Sequence, residues 1–74
     1  MDIKQTIGLR IRELRKAKGL SQEALANNAE IDRTYMASVE NGRRNISIIN
    51  LNKIITALDL SVAEFFDNEK FRTN

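Results

Sequence analysis

The stretch Gln22-Glu23-Ala24-Leu25-Ala26-Asn27-Asn28-Ala29-Glu30-Ile31-Asp32-Arg33-Thr34-Tyr35-Met36-Ala37-Ser38-Val39-Glu40 decides the fold. Its periodicity predicts a helix, a tight turn at Glu30 and Ile31, and a second helix. Ser21 is placed to cap the first helix and Asp32 the second, and Glu23 favours the dipole in the opening turn. Two helices cross closely only where the crossing residue is small, which Ala26 supplies. Leu25, Ile31, Met36 and Val39 then form an apolar wedge between them. The second helix of such a pair can lie in a DNA major groove. With Met36 turned inward, Thr34, Ser38 and Asn41 fall on the opposite side, Ala37 falls at its margin, and none is a bulky hydrophobe. Arg33, in the first turn, has the reach to meet guanine O6 and N7 as a bidentate donor and is the leading specificity residue.

Outward from this pair, three more helices are expected, giving an all-α, five-helix domain. The first covers about residues 3–18, with Ile3, Ile7, Ile11 and Leu14 on one stripe and Gly19 as its stop. Beyond the central pair, Gly42 ends the third helix. Ser47 opens a fourth with Ile48, Leu51, Ile54, Ile55 and Leu58 at helical spacing. Ser61 and Glu64 make a capping box for a short fifth helix carrying Val62, Phe65 and Phe66. The expected domain spans residues 1–67, and residues 68–74 form a tail, polar apart from Phe71, that is expected to fray unless a partner holds it.

Seventy-four residues leave room for one modest core. At 42% hydrophobic and 30% charged, the chain has the balance of a soluble globular protein. There is no membrane-length apolar run and no signal-peptide pattern, so a cytoplasmic location is expected. Cysteine and histidine are both absent, which removes the commonest metal ligands, general base and thiol nucleophile. No cofactor, metal site or catalytic residue is therefore expected. Residues 1–44 carry nine Lys/Arg against six Asp/Glu, and residues 45–74 carry three against four. The basic run Arg10, Arg12, Arg15, Lys16 and Lys18 suits either a polyanion or a solvated helix face, and for Arg10, Arg12, Lys16 and Lys18 individually the solvated face is the expectation.

Arg43, Arg44, Asn45 and Ser47 follow the third helix, where the chain would leave a groove. They can meet phosphates or reach the neighbouring groove, with Arg43 and Asn41 assigned to the backbone. Tyr35 can either pack its ring at the core edge or place its hydroxyl on DNA. The fourth and fifth helices carry more apolar surface than one small core hides. This predicts a twofold dimer through Ile48, Leu60, Val62, Phe65 and Phe66, with one of the two adjacent phenylalanines inward.

In order along the chain, Ile11-Arg12-Glu13-Leu14-Arg15, Gly19-Leu20-Ser21-Gln22-Glu23, Leu25-Ala26, Val39-Glu40-Asn41-Gly42 and Ala57-Leu58 resemble the Cro and lambda-repressor type, or Xre family, of helix-turn-helix domains. The likeness covers about residues 7–66. Asp32-Arg33-Thr34-Tyr35 followed by Arg44-Asn45-Ile46-Ser47 looks most like restriction-modification controller proteins. That resemblance implies a homodimer, or two dimers, on a palindromic double-stranded operator, and both activation and repression, timing endonuclease expression. It also implies a phosphate contact by Gln22, an ion pair between Arg15 and Glu40, and an RNA polymerase contact for which Glu23 and Glu30 are candidates. Glu30 departs from the pattern, because its turn position favours residues tolerant of left-handed backbone. An antitoxin-like repressor acting mainly through a protein partner is the alternative, against which stands the short stretch of seven residues after Asp67. A small hydrolase ranks last for want of a nucleophile-and-base pair.

Overall fold

The computed structural model describes residues 2–72, so the parts of the expected domain and tail at residues 1, 73 and 74 lie outside the described residues. Five α-helices follow one another: α1 (Ile3–Ala17), α2 (Gln22–Ala29), α3 (Arg33–Glu40), α4 (Ile48–Ala57) and α5 (Val62–Phe66), and a 3-10 turn over Glu69–Phe71 closes the chain. No helix among the described residues is long and apolar enough to cross a membrane.

The same two local devices set most of the helix ends. Asp2, Ser21, Asp32, Ser47 and Ser61 each accept a hydrogen bond from the backbone N–H three residues on, at 3.0–3.1 Å. Each such cap is worth about 1 kcal/mol. Ser61 N–H also donates to Glu64 Oε1 at 2.8 Å, which completes the expected capping box. At the other ends, α1 to α4 close with a left-handed residue and a bond reaching five residues back: Leu20 to Arg15 O, Ile31 to Ala26 O, Arg43 to Ser38 O and Leu60 to Ile55 O. The left-handed positions are Gly19, Glu30, Gly42 and Asp59. At Gly42 (φ 73°) a Cβ would also lie 2.8 Å from Gln5 Cγ, so glycine is required there twice over. Glu30 adopts φ 57° and ψ 45° without that freedom.

The core joins all five helices through Ile11, Leu25, Ala26, Ala29, Met36, Val39, Leu51, Ile54, Ile55, Leu58 and Phe65. α1 packs across α3, and α2 packs on both α3 and α4. The α1–α3 crossing is set by Gly8, where a Cβ would stand 2.5 Å from Val39 O and 2.7 Å from Glu40 O. Side-chain space there is filled by backbone carbonyls, so α1 can approach no closer with any other residue.

Four expectations change. Ile3 is 59% exposed, and Thr6 is the first buried side chain on that helix. Ile48 begins α4 with 85% of its surface exposed, outside the core stripe to which its spacing assigned it. Phe65 is wholly buried, so it belongs to the core and not to an interface. The first part of the tail is folded back on the body: Asn68 caps the 3-10 turn and Phe71 packs edge-on against Phe66 with centroids 4.9 Å apart.

Candidate nucleic-acid interface

α3 stands proud of the body because its inner side is used up. Met36 and Val39 are buried against Leu25 and Ala26, with Ile31 half-buried in the turn beside them. Its N-terminal end faces outward: Arg33 and Thr34 are exposed, and Ala37 and Ser38 are half-exposed further along the helix. This outer surface carries one guanidinium and two hydroxyls and no large hydrophobe, and a helix of this width fits the roughly 12 Å major groove.

Tyr35 is half-buried at the edge of α3. Its ring packs against the core, and its hydroxyl accepts a hydrogen bond from Asn50 Nδ2 at 3.3 Å, leaving the phenolic proton for another acceptor. The Arg44 guanidinium lies over the same ring, 5.0 Å from its centroid. Tyr35 thus ties the loop after α3 to α4. Within that loop Arg43, Arg44 and Asn45 are exposed, and Ser47 Oγ is spent capping α4 while its proton remains free to donate.

Behind this surface, Glu40 of α3 gathers side chains from two other helices, α1 and α2. Arg15 Nε donates to Oε2 at 2.7 Å and Nη2 to Oε1 at 3.0 Å, while Nη1 donates to the Leu20 carbonyl at 2.8 Å. Gln22 Nε2 donates to Oε1 at 3.1 Å and Arg12 Nε to the same oxygen at 3.4 Å. Burial pushes the Glu40 carboxyl up. Hydrogen bonds from Arg15 and Gln22, the Arg15 charge and the Arg12 bond outweigh it, and hold the group below its ordinary value. Gln22 therefore has one amide proton committed inward and one left for an anion at the α2 N-terminus.

The dimer candidates separate into two groups. Ile48, Val62 and Phe66 line one apolar groove with Ile49, Leu51 and Ile55, bordered by Asn52 and Lys53. Leu60 packs on the core and does not line that groove. Ile49, which the sequence analysis did not single out, is 72% exposed and lines the same groove; an isoleucine beside the apolar stripe of α4 was the available signal.

Two arginines assigned to a solvated face are structural. Arg10 Nε donates to the Phe65 carbonyl at 2.8 Å and Nη2 to the Glu64 carbonyl at 3.1 Å, closing the C-terminal end of α5. Arg12 joins Glu40 and also donates from Nη2 to Asn41 Oδ1 at 2.9 Å. Lys18 reaches Asp59 at 3.0 Å, an exposed pair of little energetic weight. Glu23 and Glu30 are exposed, on α2 and its terminal turn. Among the described residues, no group of three acidic or other ligating side chains converges to hold a metal ion.

A tripod of helices that exposes a short polar recognition helix is the helix-turn-helix arrangement, and the chain belongs to that family: residues 11–65 match its helix-turn-helix family model. Within the family it is similar to the controller proteins of restriction-modification systems. Control protein C.MunI of Mycoplasma sp is 46% identical over 68 residues, covering 90% of this chain and 92% of that protein. The crystal structure of the controller protein C.AhdI from Aeromonas hydrophila superposes with a TM-score of 0.82 at 51% identity, covering 85% of this chain and 96% of that one. The controller protein C.Esp1396I, solved as a tetramer in complex with its natural 35 base-pair operator, superposes with a TM-score of 0.90 at 29% identity over 99% of both chains.

Proposed function

We propose that this chain is a transcriptional regulator of the controller type, which binds a palindromic DNA operator as a dimer and acts there as both activator and repressor. The observation that carries this is the exposed N-terminal end of α3, where the Arg33 and Thr34 side chains make no hydrogen bond among the described residues while the opposite side of the helix is buried. Arg33, Thr34 and Ser38 read base edges, with Tyr35 contributing its remaining proton. Gln22, Asn41 and Arg43 set the protein on the phosphate backbone, and Arg44, Asn45 and Ser47 extend the contact from the loop. A regulator of this kind acts in the cytoplasm, where its operator lies.

Two copies meet through the groove of Ile48, Ile49, Val62 and Phe66, which sets two α3 helices about 34 Å apart on one face of the duplex. The family likeness to an operator-bound tetramer supports a second dimer on the same operator. Sedimentation at micromolar concentration, followed by titration of the protein's own upstream DNA against random competitor, tests this. A dimer with a salt-dependent preference for the upstream DNA is expected. A monomer, or equal affinity for both duplexes, contradicts it.

A further inference from the structure

Asn41 caps the C-terminal end of α3 and is exposed, yet one end of its amide is already spoken for. Its Oδ1 accepts from Arg12 Nη2 at 2.9 Å. A carboxamide beside a guanidinium can present only its oxygen, since turning the amide over would set two donors face to face. Arg12 is itself held, by Glu40 Oε1 at 3.4 Å, and that carboxylate is wholly buried. The chain of bonds from Glu40 through Arg12 to Asn41 therefore fixes which atom of the amide faces away: Nδ2, with both its protons.

The rest of the cluster follows the same pattern. Glu40 Oε1 accepts from Arg12, Arg15 and Gln22, and Oε2 accepts from Arg15, so the acceptors of the node are consumed internally. What remains unbonded on the outer side includes several donors, the Asn41 NH2, one Gln22 amide proton and the outer protons of Arg12, beside one acceptor, Gln22 Oε1. A DNA phosphate offers only acceptors. We infer that Arg12 is a positioning residue for DNA binding, fixing the Asn41 amide so that Nδ2 is presented to a backbone phosphate. The inference rests on the DNA-binding function proposed above. The gain is preorganisation, because an amide set before contact loses no rotational freedom on binding.

The test is a double-mutant cycle with Arg12→Met and Asn41→Ala, both measured as fluorescence anisotropy on a duplex recovered from a random pool by the wild-type protein and on a scrambled duplex. Arg12→Met keeps the aliphatic stem and removes the hold on Asn41. It is expected to weaken both duplexes about tenfold, the worth of one hydrogen bond. In the Asn41→Ala background the same change is expected to cost about twofold or less, the residue of a lost nearby charge. The salt slope should change by well under one counterion, because the neutral Asn41 amide displaces none and Arg12 acts only as a nearby charge.

Equal losses in both backgrounds overturn the inference, as does no loss at all. A slope reduced by about 0.9 in Arg12→Met would put the guanidinium itself on a phosphate, and overturns it too. A general loss of folding would weaken both backgrounds alike, so it cannot mimic the expected result. Wild-type protein that favours no duplex overturns the DNA-binding function and this inference with it. Wild-type binding with additive variants overturns the positioning role alone.

Discussion

Arg15 in α1 and Glu40 at the end of α3 form a two-pronged ion pair, 2.7 and 3.0 Å between nitrogen and oxygen, in which the carboxylate has no solvent exposure and the arginine side chain 11%. A pair this deeply buried gains little over water while both partners are present, and costs heavily when one is left alone. Glu40→Ala, which strands Arg15 and also releases Arg12 and Gln22, is expected to lower stability by about 3–5 kcal/mol. Urea unfolding followed by circular dichroism checks this.

The same carboxylate gives stability an acid limb. Its folded pKa is held below the ordinary 4.5, so its contribution is complete above that value and is lost as pH falls through the lower, folded one. Glu13, lowered by hydrogen bonds from Arg10 and Lys70, adds to the same window from an exposed position. Urea midpoints taken from neutrality to about pH 3 should fall below the ordinary carboxylate value, and Glu40→Gln should flatten part of that fall. Equal acid limbs in both proteins would remove Glu40 as its source.

Two backbone substitutions should move stability in opposite directions. Glu30→Gly relieves a left-handed conformation at φ 57° and is expected to stabilise by about 1 kcal/mol. Gly8→Ala drives a methyl into the carbonyls of Val39 and Glu40 and is expected to destabilise by about 1–3 kcal/mol. Thermal unfolding of the two variants beside wild type distinguishes them.

Ile49→Asp should separate the proposed dimer without unfolding the domain. Ile49 is 72% exposed and lines the groove with Ile48, Val62 and Phe66, so a charge there is solvated in the monomer and desolvated against a second copy. Sedimentation should show a monomer with unchanged helical content. A dimer that persists in this variant would move the interface elsewhere.

How much of this was legible in the sequence follows the range of the interactions. The helix ends were readable because Ser21, Asp32, Ser47, Ser61, Gly19 and Gly42 act within three to five residues of themselves. The wedge of Leu25, Ala26, Met36 and Val39 was readable because one period decides it. Arg10 and Arg12 were not, since their partners lie 55 and 29 residues away and only folding brings them together. Gly8 carries no signal in its own helix, because its requirement comes from carbonyls of α3. Phe65 and Phe66 posed a choice that helical phase alone left open, and the aromatic packing of Phe65, Phe66 and Phe71 decides it. Phe71 was readable only as the lone apolar residue of the tail, because nothing in the sequence names the rings it packs against.

The central claim is that the exposed end of α3 reads base sequence, with Arg33 foremost. Selection of duplexes from a random pool, run in parallel with wild-type protein and Arg33→Ala, tests it most directly. Wild type should enrich two inverted half-sites about one helical turn or a multiple apart, and Arg33→Ala should lose about 1–3 kcal/mol of preference at one position in each half-site while keeping the others. Enrichment of no symmetric sequence by wild type, or an identical motif from both proteins, would contradict it.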